Sequence, residues 1–378
     1  MSQLPISYEV PVNSLAGLFE KTTNSYKYLF FLALIELIEK DNFRTRTIHL
    51  EEIFIEMAAI SWYPLNHFQL SFGSQDQIAL AVSRLKVPLL RDWIGSPTNQ
   101  RCIRKELRRQ YQKIGLRKIL GRFVQFRLLS PFFKNEIAGI RDDHKRNIAI
   151  LNLANCSETK SIPLYTFEGN SPNDVNSITI HPAWLAYLKL NSTIVKGWVE
   201  RHWIDYLQRR NPSTPAVSEK LNVPKKRKAM RIQLSFWREF INETAYSCIY
   251  SGKTLSPDAL SLDHFIPWSF VCHDRNWNLT PVTIDVNIQK SNSLPDESRY
   301  LGRLVDIHYE VIKYLKSKPC SKRAKHFLDE YESDLQIKIT DAIDRCHIFD
   351  AYEATVVPLL SLARRAGFNS GWSYQDTV

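Results

Sequence analysis

The chain is short of glycine, of paired cysteines and of long apolar runs. Only 12 of its 378 residues are glycine, which argues against a dinucleotide binder built on several glycine-rich loops. Its six cysteines, at 102, 156, 248, 272, 320 and 346, are scattered and form no C-x-x-C pair. That pattern excludes a disulfide scaffold and fits a reducing compartment. The longest apolar stretch, Tyr28 to Ile38, is broken by Glu36 and falls short of the ~20 residues a membrane span needs. The first ten residues, MSQLPISYEV, lack a basic region followed by an apolar one, so no signal peptide is expected. These features together predict a cytoplasmic protein without membrane contact. No repeat or low-complexity tract is visible.

Acidic residues are also in deficit, 39 against 50 lysines and arginines, for a formal net charge of +11. Such a surplus favours a polyanionic partner, because each neutralised phosphate releases counterions. Hydrophobic residues make up 44% of the chain and aromatics 12%, enough for a substantial core.

Apolar spacing predicts helices over 26–40 and 49–60 and a helical pattern over 75–90. Residues 101–122 read as a basic helix with one acid, Glu106. Ile103, Leu107, Tyr111 and Ile114 share a face, and Arg104, Lys105, Arg108 and Arg109 stand on the rest of the circumference, where they would lie against a phosphate backbone. Residues 147–153 (NIAILNL) and 162–167 (IPLYTF) alternate like strands, and 174–181 adds another. Pro182 opens a helix whose Trp184, Tyr187, Leu188, Trp198, Trp203 and Leu207 read as core. Residues 211–230, with three prolines and the run Lys225, Lys226, Arg227, Lys228, read as a linker whose cations would touch phosphate. Helices are expected over 297–316 and 322–367, with Gly367 as a stop.

The segment from Cys248 to Pro295 concentrates the polar chemistry. Strands are expected at 248–250 and 260–262, then an irregular loop, then a helix from 283 or 284 to 292. Asp263 is a hard oxygen ligand suited to Mg²⁺ or Mn²⁺. In an extended strand His264 points to the other face, so it is better suited to activating water as a general base. Asn287 and Lys290 share a helical face, the amide available to complete a metal site and the ammonium to bind phosphate.

The run DHFIPWSF, then NLTPV, then N-x-x-K-S-x-x-L-P resembles the HNH endonucleases of ββα-metal fold. It is similar to the HNH cutting domain of the RNA-guided CRISPR nuclease, without gaps from Leu262 to Pro295. That resemblance implies that His264 is the general base, that Asp263 and Asn287 hold one divalent cation, and that Asn278 orients the loop and through it the histidine. It further implies Asp285 as an additional ligand candidate and Lys290 as a backbone contact. The two C-x-x-C pairs that carry structural zinc in many HNH proteins are absent, so structural zinc is not expected. His181, His202 and His273 read as packing or surface histidines.

The overall expectation is an α+β protein with three parts. Residues 1–235 form a mainly helical targeting or partner-binding region, 236–296 the nuclease module, and 297–378 a helical subdomain. The implied activity is metal-dependent cleavage of DNA, most naturally double-stranded, in defence against phage or plasmids. A non-catalytic nucleic-acid-binding subunit and an RNase are the alternatives.

Overall fold

The computed structural model describes the chain apart from residues 1–3, 84, 86, 89–94, 158–160, 225–229, 341–343 and 377–378. The architecture is α+β, with helices dominating and small antiparallel sheets of two and three strands. Two compact units are present: Met1–Pro212 with Val217–Lys226, and Ser213–Ala216 with Arg227–Val378.

In the first unit, α1 (Tyr26–Lys40) and α2 (Leu50–Trp62) are buried on most of their circumference, as their nearly unbroken apolar sequences dictate. Strand β1 (Thr47–His49) pairs with β3 (Ser177–Ile180), which also pairs with β2 (Tyr165–Glu168). The basic helix α3 spans Pro97–Ile114, and α4 spans Asp143–Asn155. Helix α5 covers Pro182–Arg210 and buries all six of the expected core residues. His181 caps it, Nδ1 accepting the Ala183 N–H at 3.2 Å, while the His202 ring packs on Phe19 and Trp198.

Two expectations are corrected here. Residues 147–153 are helical, inside α4. Asp142 caps the helix by accepting the Lys145 N–H at 2.8 Å. Asn147, Ile150, Leu151 and Ala154 then fall on one buried face, a helical period that the local alternation masked. The basic helix does not run to 122. Gly115 adopts the left-handed conformation (φ 74°) and ends α3, and a separate short helix, Leu116–Leu120, follows. The stretch 322–367, expected to be helical, carries the helices Lys322–Leu335 and Arg345–Arg365.

In the second unit, α6 (Arg231–Thr244) precedes β4 (Ser261–His264), β5 (Leu279–Val282) and α7 (Ile284–Lys290). Helices α8 (Glu297–Lys316), α9 (Lys322–Leu335) and α10 (Arg345–Arg365) follow. All contribute to one core. Phe236, Trp237 and Phe240 of α6, Phe265 and Leu279 beside the sheet, and Tyr300, Phe327 and Tyr352 of the later helices are all buried in it.

The strand expected at 248–250 is a tight turn instead. Cys248 donates to the Lys253 carbonyl at 2.9 Å, and Gly252 supplies the positive φ of 71° that closes the loop. Cys248 is nevertheless buried in the core, as expected. The true partner of β4 is β5, in the register Asp263 opposite Thr280 and His264 opposite Leu279. Pro281 disguised this strand, yet a proline is tolerated where both strands of a two-stranded ribbon are edges. The order is therefore strand, loop, strand, helix.

Glu56 of α2 is buried and paired with Arg104 at 2.6 Å and Lys40 at 2.9 Å. Burial works to raise its carboxyl, but the two cations outweigh burial and hold it below the usual carboxylate range. Glu56→Ala is expected to cost about 3–5 kcal/mol, because it strands the partly buried Arg104. A depressed carboxyl stabilises the fold above the unfolded-chain value and loses that contribution as pH falls through the folded one. Urea titrations of the wild type at acidic pH should therefore show falling stability, with a smaller fall in the variant.

Candidate active site

The motif residues cluster where β4, β5 and α7 meet. Asn278, fully buried immediately before β5, uses its side-chain amide to grip Ile266 twice. Oδ1 accepts the Ile266 N–H at 2.9 Å, and Nδ2 donates to the Ile266 carbonyl at 2.9 Å. The Asn278 carbonyl also accepts the Phe265 N–H at 2.9 Å. The chain leaving His264 is thus clamped to β5 by three hydrogen bonds, which fixes where the strand ends.

Asp263 and His264 are adjacent on β4 and engage different partners, as strand alternation requires. Asp263 is buried. Its carboxylate accepts from Tyr250 Oη at 2.9 Å and from Lys290 Nζ at 3.0 and 3.1 Å. Lys290 Nζ also donates to the His264 carbonyl at 2.7 Å and is wholly buried. Burial lowers the Lys290 ammonium and Asp263 opposes that effect; burial, with Asp263 beside it, drives the Tyr250 phenol well above its ordinary range. Lys290, expected against a phosphate backbone, therefore lies inward with its charge against Asp263.

The His264 ring is 7% exposed and its Nε2 lies 2.9 Å from Asp274 Oδ1. Asp274 was not singled out in the sequence. It lies in the irregular segment between the motif letters, where no periodicity reports what a side chain touches. Tyr250 lies in the 248–250 segment read as a strand, which hid the turn that brings its hydroxyl to Asp263. His273, next to Asp274, packs against Trp277, and burial together with the nearby His264 lowers it to about 4.

Asn287 on α7 donates from Nδ2 to Ser261 Oγ at 2.8 Å and to the Leu262 carbonyl at 3.2 Å. Its amide therefore lies along β4 immediately before Asp263. Asp285 is exposed in the first turn of α7. Its carboxyl is held low, first by the Thr283 hydroxyl, and its Oδ2 accepts from Tyr374 Oη at 3.4 Å. Among the described residues no hydrogen bond joins it to Asp263 or Asn287.

The donor chemistry suits a hard divalent cation. Asp263 and Asn287 offer one carboxylate and one amide, few enough for an ion that keeps several waters. The Lys290 ammonium already marks an oxygen-lined place for positive charge, formed by both Asp263 oxygens and the His264 carbonyl. Among the described residues no group of three or more His, Cys, Asp or Glu side chains could hold a metal.

The expected nucleic-acid contacts are less uniform. Arg104 is held by Glu56 and Arg108 by Glu52 at 2.5 Å, both pairs tying α3 to α2. Arg109 is exposed and pairs with Glu106 at 2.8 Å, and Lys105 is exposed. Lys225, Lys226 and Arg227 lie outside the described residues. Trp277 is buried and Trp268 half-buried. No helix is long and apolar enough to cross a membrane among the described residues.

Lys290→Met removes the charge set against the buried Asp263 carboxylate, and should destabilise the second unit by about 3–5 kcal/mol. Adding Asp263→Asn to Lys290→Met should recover part of that loss, a non-additivity read from urea midpoints of the single and double variants. Strictly additive costs would show that the pair is not coupled.

No curated protein and no solved structure matches the chain, so the likeness to the CRISPR nuclease rests on the motif residues alone. A family model does match: residues 248–296 correspond to the HNH endonucleases. This interval begins at the Cys248 turn, contains β4, β5 and α7, and ends just before α8, so it spans the whole clamp around His264. Residues 248–296 are therefore an HNH endonuclease domain, and it is this segment that carries nuclease chemistry into the chain.

Proposed function

We propose that the protein is a metal-dependent DNA endonuclease that hydrolyses phosphodiester bonds to leave 5′-phosphate and 3′-hydroxyl ends. The observation that supports this reading best is the HNH match over a segment in which the motif histidine is held at a strand end beside a buried aspartate.

His264 takes a proton from the attacking water. It suits this role because imidazole titrates near neutrality, so one ring is both competent to accept the proton and able to release it. Asp263 and Asn287 would hold Mg²⁺ or Mn²⁺, with Asp285 as a further candidate ligand. When bound, that ion supplies positive charge to the phosphate oxygens as negative charge builds during displacement. Asn278 keeps the loop after His264 in place through its double grip on Ile266. Lys290 balances the Asp263 charge from within.

Duplex DNA is the proposed substrate, supported by the net charge of +11 and by the outward basic side chains of α3, Lys105 and Arg109. The buried Trp277 argues against an RNase that stacks unpaired bases on it. The first unit is proposed to supply targeting or a protein partner's docking face. Cytoplasmic defence against phage or plasmid DNA is the proposed role, by analogy with other HNH proteins.

The direct test is nicking of supercoiled plasmid by the full chain with Mg²⁺ or Mn²⁺. Cutting is expected, abolished by EDTA, and reduced at least about 100-fold by His264→Ala, the usual worth of a general base. Cutting that persists undiminished in His264→Ala would reject the assignment.

A further inference from the structure

We infer that Asp274 is the positioning residue for His264: its carboxylate fixes the ring proton on Nε2 and so presents the Nδ1 lone pair to the water. This rests on His264 being the base of the nuclease proposed above. Neither the motif nor the family match assigns any role to Asp274.

The geometry is specific. Asp274 Oδ1 and His264 Nε2 are 2.9 Å apart, and the ring is nearly buried. An ionised carboxylate only accepts hydrogen bonds, so the contact requires a hydrogen on Nε2, and in a neutral ring the lone pair is then on Nδ1. When Nδ1 takes the water proton, the imidazolium carries one hydrogen on each nitrogen, and the Asp274 carboxylate accepts the one on Nε2.

Asp274 is itself held from several directions. Its carbonyl accepts from Gln233 Nε2 of α6 at 3.3 Å. Cys272, two residues before, turns the chain with a left-handed φ of 58°. Arg275, one residue after, is drawn toward Asp334 at 3.3 Å and Glu330 at 3.5 Å on α9. Asn276 N–H donates to Glu330 at 2.8 Å, and Trp277 Nε1 to Asp334 at 2.8 Å. The irregular segment is thereby fastened to helices that lie outside the family match, and its one carboxylate is aimed at the ring.

The test exploits the difference between a carboxylate and its amide. Asn at 274 keeps the size of Asp but can donate an N–H to Nε2, which favours the opposite tautomer; Ala simply removes the contact. Full-length wild type, Asp274→Asn, Asp274→Ala and His264→Ala are compared in two readouts. The first is plasmid nicking, where Asp274→Asn should lower kcat at least about 100-fold and further than Asp274→Ala, with KM unchanged. The second is ¹⁵N NMR of histidine-labelled, metal-free protein at a pH where the ring is neutral, with the His264 signals identified by their loss in His264→Ala. Wild type should show Nε2 protonated, and Asp274→Asn should shift the proton toward Nδ1.

A merely structural Asp274 predicts the reverse order, the isosteric Asn being milder than Ala, with the tautomer unchanged; either result overturns the inference. Should the wild type cut no DNA while the tautomer still shifts, the nuclease reading falls and the Asp274–His264 lock stands.

Discussion

The active-site region is organised around a buried charge pair. Lys290 and Asp263 are removed from water together, and neither can be left there alone, because an uncompensated ion in a low-dielectric interior costs several kcal/mol. Their contact draws α7 onto β4, and the same ammonium holds the His264 carbonyl, so one lysine ties the helix to the last residue of the strand. Tyr250 completes the arrangement from the turn that precedes the sheet. The Asp263 carboxylate is thus oriented by two side chains at once, Lys290 and Tyr250.

Around this pair the sheet is too small to be stable by itself, two strands of four residues each. Stability comes from what is packed behind it. Helices α6, α8, α9 and α10 bury their aromatic faces in the same core as β4 and β5, and α10 reaches the loop directly through Tyr352 Oη donating to the Trp277 carbonyl at 3.0 Å. The irregular segment between the strands, which carries Asp274 and Asn278, is held by these helices and by β5 rather than by its own regularity.

Much of this was legible in the sequence, and the failures have physical causes. Helical spacing placed α1, α2, α5 and α8, and the aromatic stripe of α5 reads as core because its members recur on one face. The opposite facing of Asp263 and His264 followed from strand alternation alone. What could not be read was partnership. Charge counts do not say which cations are neutralised inside the fold, so Arg104 and Arg108 looked like surface contacts although Glu56 and Glu52 lie opposite them on α2. Lys290 shares a helical face with Asn287, but which way that face turns depends on the burial of Asp263. Pro281 concealed β5, and Asp274 had no periodic neighbour to mark it.

The C-terminal tail gives these contacts a further meaning. Leu294 exchanges two backbone hydrogen bonds with Asn369 and Trp372, Asp296 N–H donates to the Trp372 carbonyl, and Lys253 pairs with Asp376 at 2.7 Å. The segment that bears the family signature is thus stitched to residues more than seventy positions downstream. Such a module does not travel as a portable cassette: recombination that moved the signature without its distant seam would transplant the letters of the motif and leave behind the scaffold that gives them shape.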